Sequence, residues 1–441
     1  MRKRARFARL AYVEPFVEGF AEGLTPRSGP VARGYRRPDG RFVPSIAGGS
    51  PAAGTIPATE HYRSDVSDPA AGAQAVPFAR ASYQYREKMR ADAFTLTAAQ
   101  QTPAAIPIIP GGFLRGVWLE VAVSVSGALG TAVLGSPTDF PYSLIASLTL
   151  EDVNGQAIVG PISGYEVYLA NKYGGYFFAG DPTVNPAFTG TFASPYFILW
   201  VPLEVRSDAF GSLANTDARA QYRLTYTIDA SSNILSTGTI TTPLQFTVTS
   251  WVDYWAQVEK ESMAGDPQEQ TPPYVGSTQF WYRELPVVAA GAQTVKHNRV
   301  GNAIRTIIYE LRNGVAAGGA QPANQRVTNY TDPVKLRLDN RYLFSESPNL
   351  RRRGLMGRQY DLSGPDGDPA TIGTPAVGIL ETGTYVVPFS RGLDYHPSPA
   401  DEGNWLDTNE AQFLQLEVTY TGTVASQTIV TNDVAPPAPR G

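Results

Sequence analysis

Phe113-Leu114-Arg115-Gly116-Val117-Trp118-Leu119-Glu120-Val121 returns 190 residues later as Ala303-Ile304-Arg305-Thr306-Ile307-Ile308-Tyr309-Glu310-Leu311, with the Arg and the Glu at the same two places. Six more short matches follow in the same order. Ala98-Ala99-Gln100-Gln101-Thr102 answers Ala290-Gly291-Ala292-Gln293-Thr294, and Ser147-Leu148-Thr149-Leu150-Glu151 answers Lys335-Leu336-Arg337-Leu338-Asp339. Trp200-Val201-Pro202 answers Val386-Val387-Pro388, and Ala220-Gln221-Tyr222 answers Ala411-Gln412-Phe413. Leu224-Thr225-Tyr226-Thr227 answers Val418-Thr419-Tyr420-Thr421, and Thr247-Val248-Thr249-Ser250 answers Thr428-Ile429-Val430-Thr431. Matches that keep one order along the whole chain mark two copies of one domain. Alternating patterns such as Gln221-Tyr222-Arg223-Leu224-Thr225-Tyr226-Thr227-Ile228 make that domain a β-domain with one buried face per strand.

Composition points the same way. A chain of 441 residues divides into two units that are each long enough to bury a core. With 42 Gly, 36 Pro, 23 Tyr and 19 Phe but only 17% charged residues, it reads as many short strands joined by loops. Cysteine is absent, which excludes a disulfide framework, a thiolate metal site and a cysteine nucleophile. The net charge of −4 argues against a protein that coats nucleic acid or recognises it specifically. Charge is unevenly spread: residues 1–41 hold ten Arg or Lys against four acids, leaving 26 basic and 36 acidic residues in the rest. A basic arm ahead of an acidic body suggests that the two face different surroundings. No apolar run reaches the ~20 residues that span a bilayer, and the N-terminus lacks the apolar stretch of a signal peptide.

Residues 1–80 read as that arm. Phe7, Leu10, Val13 or Glu14, Val17, Phe20 and Leu24 stand near helical spacing, with Pro15 as a kink or stop. Residues 25–78 are rich in Gly, Pro, Ala and Ser and read as extended. A first β-unit is expected over 81–258, with strands near 92–102, 113–126, 143–151, 156–160, 196–206, 220–229 and 240–252. Within it, 163–173 has the spacing of a short helix stopped by Gly174-Gly175. A linker over 259–278 precedes a second unit over 279–434. Its strands are expected near 279–288, 303–313, 333–339, 342–345, 384–390, 411–421 and 425–432, with long loops at 314–332 and 350–383. Residues 435–441 form a Pro-rich tail. Seven or more antiparallel strands and one helix per unit suit an eight-stranded jelly roll, so the fold class is all-β, two jelly rolls in tandem behind an N-terminal arm. A propeller would repeat every ~40 to 50 residues, and an immunoglobulin unit needs only ~100.

No catalytic constellation stands out. His61, His297 and His396 are far apart, none has a second ligand at metal spacing, and each is expected as a surface or loop residue. Gly364-Pro365-Asp366-Gly367-Asp368-Pro369 lacks the ligand series of a calcium loop and reads as a turn. No cofactor motif occurs. A carboxylate pair such as Glu120 and Glu310 is the one enzymatic option composition leaves open. Their repetition in both halves favours instead a structural role, such as pairing with Arg115 and Arg305. Arg351, Arg352, Arg353 and Arg358 form a basic cluster, read as a solvated loop or an inter-subunit salt-bridge site rather than a phosphate site. Trp251, Trp255, Trp281 and Tyr282 flank the linker and are expected to pack between the two units.

Tandem jelly rolls, the arm, and segments such as Asp139-Phe140-Pro141-Tyr142-Ser143-Leu144-Ile145 and Thr431-Asn432-Asp433-Val434-Ala435-Pro436 resemble the double jelly-roll major capsid proteins of tailless icosahedral double-stranded DNA viruses. Within that lineage of tectivirus-like phages and adenovirus hexons, the chain looks most like the phage proteins. The resemblance implies homotrimers with a six-cornered outline that tile a virion shell beside neighbouring capsomers, penton proteins and minor capsid proteins, after synthesis in the host cytoplasm. It also implies an arm facing the virion interior and an internal membrane. There Arg2, Lys3, Arg4, Arg6 and Arg9, with the apolar Phe7, Leu10, Phe16 and Phe20, would meet lipid, at about 1 kcal/mol per basic residue near an anionic surface. Two other readings stay open: a penton or spike protein, and a two-jelly-roll enzyme acting on glycans or glycopeptides.

Overall fold

The computed structural model describes residues 33–36, 42–45, 75–124, 133–134, 139, 141–176, 196–237, 245–273, 276–313, 326–360, 366–367, 380–389 and 405–435. It divides into a unit over Met1–Gly72 and a larger one over Ala73–Gly441. In the first, Arg33–Arg36 pairs antiparallel with Phe42–Ser45. His61 and the expected arm helix lie outside the described residues.

The larger unit holds sixteen principal strands. The first eight are β1 (Gln84–Thr95), β2 (Ile106–Pro107), β3 (Gly112–Ser124), β4 (Ile145–Glu151), β5 (Ala157–Ile162), β6 (Tyr196–Pro202), β7 (Arg223–Ile228) and β8 (Gln245–Trp255), with helix α1 (Gly164–Tyr173) between β5 and β6. The second eight are β9 (Thr278–Glu284), β10 (Gly291–His297), β11 (Ala303–Arg312), β12 (Tyr330–Leu338), β13 (Arg341–Glu346), β14 (Thr384–Pro388), β15 (Leu414–Tyr420) and β16 (Ser426–Ala435). In the first set β1-β8-β3-β6 forms one sheet and β2-β7-β4-β5 the other; in the second, β9-β16-β11-β14 and β10-β15-β12-β13 repeat that order. Two four-stranded sheets in this order make a jelly roll, and each barrel is one. The barrels are joined edge to edge, because β5 of the first pairs in parallel with β9 of the second through Val159 and Trp281.

The strand registers test the repeat residue by residue. In the first barrel β8 pairs with β3 in regular register except for a bulge that skips Arg115; in the second, β16 pairs with β11 with a bulge that skips Arg305. The recurring Arg thus marks a recurring bulge, which bends the strand and re-aims a side chain. Val201-Pro202 lies opposite Val117 and Gly116, and Val387-Pro388 opposite Ile307 and Thr306, as the sequence match requires. Two matches are out of register. Leu224 faces Leu150 and Leu414 faces Leu338, so Leu224 corresponds to Leu414, four residues from Val418. Thr249 faces Glu120 and Thr428 faces Glu310, a slip of two from the sequence pairing of Thr247 with Thr428.

Several sequence expectations need correction. The first strand runs over Gln84–Thr95, earlier than 92–102, because it is an edge strand whose exposed Arg86, Glu87 and Lys88 conceal the β pattern. Gly291–His297, expected as no strand, is β10; its polar composition suits an edge with one solvated face. Loop 314–332 ends sooner, at the start of β12. Part of loop 350–383 is helical, with a wide turn over Leu350–Met356 that continues through Gly357–Gln359. The α1 expectation holds closely: Ser163 caps the helix in a reciprocal capping box with Glu166, and Gly174 closes it.

Candidate functional site

Among the described residues, a set of buried charged side chains lies in the seam where the first barrel and α1 cover the outer face of sheet β9-β16-β11-β14. Ile304, Ile307, Tyr309 and Leu311 of β11 point into the second barrel's own core. From the opposite face of the same sheet, Ile308, Val386 and Val430 join the first barrel's core, along with Tyr165, Tyr168 and Tyr173 of α1. Strand β11 is therefore buried on both faces along almost its whole length, its charged Arg305, Glu310 and Arg312 included.

Charges buried in this seam are paired. Lys172 Nζ lies 2.6 Å from Glu381 Oε1, and the Tyr168 and Tyr173 hydroxyls donate to the same carboxylate. Burial alone would raise the Glu381 pKa, but Lys172 and these hydrogen bonds hold it below the ordinary carboxylate range. Asp139 bridges Arg312 at 2.8 Å and Arg326 at 2.9 Å, and although burial opposes it, the two guanidinium groups keep its carboxyl acidic. Glu166 accepts from Arg283 Nη1 at 3.3 Å, yet burial prevails and its pKa is raised. Glu310 is fully buried and takes one bond from Arg312 at 2.7 Å. Burial pushes its pKa up to about 7, against the pull of Arg312, which it shares with Asp139.

The sign of that last shift gives a prediction. The folded state holds the Glu310 proton more tightly than the unfolded chain between 4.5 and about 7, so stability falls as pH rises through that window. The loss amounts to roughly 3 kcal/mol at most. Glu310→Gln should flatten this slope, measured as urea midpoints at about pH 5 and about pH 8. An unchanged slope would show that Glu310 does not titrate there.

The bulge arginines anchor the outer faces. Arg115 Nε lies 2.7 Å from Glu204 and Arg115 Nη1 3.0 Å from Asp253, while Trp255 Nε1 donates to Glu204 at 2.7 Å. Arg305 uses neutral partners instead, Asn432 at 3.1 Å in the place of Asp253 and Gln279 of β9 at 2.6 Å. Neither Arg meets the Glu five residues on, as the sequence suggested, because that Glu stands about 16 Å further along the strand.

Other expected site residues are dispersed. Arg351 pairs with Glu346, and the buried Arg352 donates to the carbonyls of Thr384 and Glu381, so these two serve the fold; Arg353 and Arg358 are exposed. His297 is buried, not superficial: its Nε2 is 2.9 Å from the Tyr309 hydroxyl, and burial lowers its pKa to about 4. Of the four aromatics flanking the linker, Trp281 packs between the barrels, whereas Trp255 packs with Phe78 and Phe113, Trp251 is half-buried, and Tyr282 is exposed. Glu120 is half-buried on the outer face of β3. Asp366-Gly367 pairs in parallel with Leu380-Glu381, and the rest of that loop, His396 and Arg2, Lys3, Arg4, Arg6, Phe7, Arg9, Leu10, Phe16 and Phe20 lie outside the described residues. Among the described residues no group of three or more His, Asp or Glu could hold a metal ion. Sequence reading missed Lys172, Glu381, Arg326 and Glu204, whose partners are far away along the chain; Lys172 and Glu381 are 209 residues apart.

No protein-family model and no curated protein matches the sequence. Solved structures do match. The crystal structure of the STIV MCP superposes with a TM-score of 0.51 at 14% identity, covering 80% of this chain and 97% of its own. The atomic structure of Sulfolobus turreted icosahedral virus gives 0.51 at 12% identity over 80% and 91%. The major capsid protein P2 from bacteriophage PM2 aligns over 80% of this chain and 100% of its own at 11% identity, with a TM-score of 0.44. Strand order and the two superpositions at 0.51 agree: the chain has a double jelly-roll fold, the fold of the STIV MCP.

Proposed function

We propose that this chain is a major capsid protein and that three copies form a capsomer of six barrels that tiles an icosahedral shell. The observation that carries this is the near-identity of plan in the two barrels, down to the bulge at Arg115 and Arg305, which lets one chain occupy two adjacent positions of a six-fold outline. The described functional groups are spent on a sealed seam rather than gathered in a cleft, which suits a building block and not an enzyme. Residues 81–258 and 279–434 are the two building units, joined by 259–278. Residues 1–80 are an interior arm whose basic start attracts anionic lipid headgroups. Neighbouring capsomers and vertex proteins are the remaining partners, and the virion is the site of action after synthesis in the host cytoplasm.

Electron microscopy of the purified protein, with native mass, tests this reading. Three-fold particles with six corners are expected at micromolar concentration; monomers alone would overturn it. Deleting residues 2–24 should leave the trimer intact and impair shell or membrane assembly, whereas loss of folding would place the arm in the core.

A further inference from the structure

The two barrels are joined mainly by side chains. Among the described residues their strands pair at one point only, Val159 of β5 with Trp281 of β9. Elsewhere the seam closes through Ile308, Val386 and Val430, packed in the core of the first barrel with α1. Three buried ionic links reinforce it, each with partners from both sides. Asp139 reaches Arg312 and Arg326, Glu166 reaches Arg283, and Lys172 reaches Glu381.

Glu310 departs from that pattern. Its ionic partner Arg312 stands two residues along the same strand, so the pair links nothing across the seam. Glu310 is fully buried, and its Oε1 has no hydrogen-bond partner among the described residues. The guanidinium it uses is one that holds Asp139: Arg312 donates Nη2 to Glu310 at 2.7 Å and Nη1 to Asp139 at 2.8 Å. From the first barrel Glu310 meets two like charges, Asp139 ahead of β4 and Glu166 of α1, while Arg326, ahead of β12, is the second cation near it. On its own sheet its neighbours are the uncharged Thr384 of β14 and Thr428 of β16. Tyr165 of α1 and Tyr330 of β12 also sense its charge, and burial keeps both protonated far above neutrality.

An ionised Glu310 is unfavourable in three ways. It is a buried carboxylate with one oxygen unbonded, it repels the two carboxylates that dock the first barrel, and it competes for a guanidinium that Asp139 uses. A proton on Glu310 relieves all three. We propose that Glu310 is a proton-operated catch on the seam. Protonated, it lets the two barrels dock firmly. Ionised, it lets α1 and the first barrel lift from sheet β9-β16-β11-β14 while each jelly roll stays folded. Opening exposes Glu310 to water and returns its carboxyl to ordinary acidity, so docking is firmest in mildly acid solution and weakens as pH rises from 4.5 to about 7. Glu166, whose pKa burial also raises, acts in the same sense. Asp139 and Glu381 are held below their ordinary values and act only in more acid solution. His297 bonds to Tyr309 in the second barrel's own core, which opening leaves intact.

Because the chain lacks cysteine, a single thiol can report the opening in the full-length protein. Val386 and Val387 are neighbours on β14 and both are buried, Val386 against the first barrel and Val387 in the second barrel's own core. Labelling by dithiodipyridine is to be timed on Val386→Cys and Val387→Cys at about pH 5 and about pH 8, with the same thiol in the urea-unfolded chain as the reference for thiolate content. Relative to that reference, Val386→Cys should label about 50-fold faster at the higher pH. Val387→Cys should show no comparable rise, and adding Glu310→Gln to Val386→Cys should abolish the difference. No rise at Val386→Cys, an equal rise at both positions, or a rise that survives Glu310→Gln would each overturn the proposal.

Discussion

Lys172→Met should destabilise the folded chain by about 3 to 5 kcal/mol at neutral pH, measured by urea unfolding, because it strands a buried carboxylate. Glu381 is fully buried, and Lys172 is its cationic partner at 2.6 Å. The hydroxyls of Tyr168 and Tyr173 would remain, but they supply hydrogen bonds and no compensating charge. Replacing both partners, Lys172→Met with Glu381→Leu, should recover much of the loss, since it removes the charge along with its partner. A double variant as unstable as the single one would mean that the hydrogen bonds donated by the two tyrosine hydroxyls, and not the ion pair, hold this part of the seam.

Acidification separates the same alternatives. In the native chain the Glu381 pKa lies below its ordinary 4.5, so its stabilising contribution is present at neutral pH and is lost as pH falls through the folded value. Without Lys172, burial raises that pKa, and protonation relieves the lesion. The gap between native protein and Lys172→Met should therefore narrow as pH falls toward about 4. Glu310 contributes in the opposite direction and at higher pH, so the Glu310→Gln background isolates the effect.

The parts of this architecture that were legible in the sequence are those carried by local pattern. Ser163 and Glu166 announce the start of α1, and Gly174 its end, because capping is settled within a few residues. The Arg at positions 115 and 305 announced a common strand before its bulge was known. Register was less legible, and for a definite reason. Side chains alternate with a period of two, so a slip of two or four residues keeps every apolar position on the same face. The Thr247 and Leu224 matches slipped by such even steps. Edge strands β1 and β10 were missed or displaced because one face is solvated and their sequences are polar. The ion pairs of the seam were invisible because nothing near Lys172 or Asp139 in the sequence indicates a partner about 200 residues away.

Trp281→Ala should cost a further distinct amount, about 3 to 5 kcal/mol, and should change the form of the unfolding curve as well as its midpoint. Trp281 is 1% exposed and sits where β9 of the second barrel meets β5 of the first. Its ring fills the space beneath Gly174, where an added Cβ would come within 3.0 Å of the indole. The helix end and the second barrel approach closely because that position carries no side chain. Removing the indole leaves a cavity at the junction while each barrel keeps its own core, so the barrels should begin to unfold in separate steps. Trp281→Phe supplies the control. The indole Nε1 has no hydrogen-bond partner among the described residues, so phenylalanine forfeits volume but no bond, and its cost should be less than half that of alanine. If alanine and phenylalanine cost the same, the indole is not what couples the barrels; if Trp281→Ala still unfolds in one step, the ion pairs of the seam suffice to keep them cooperative.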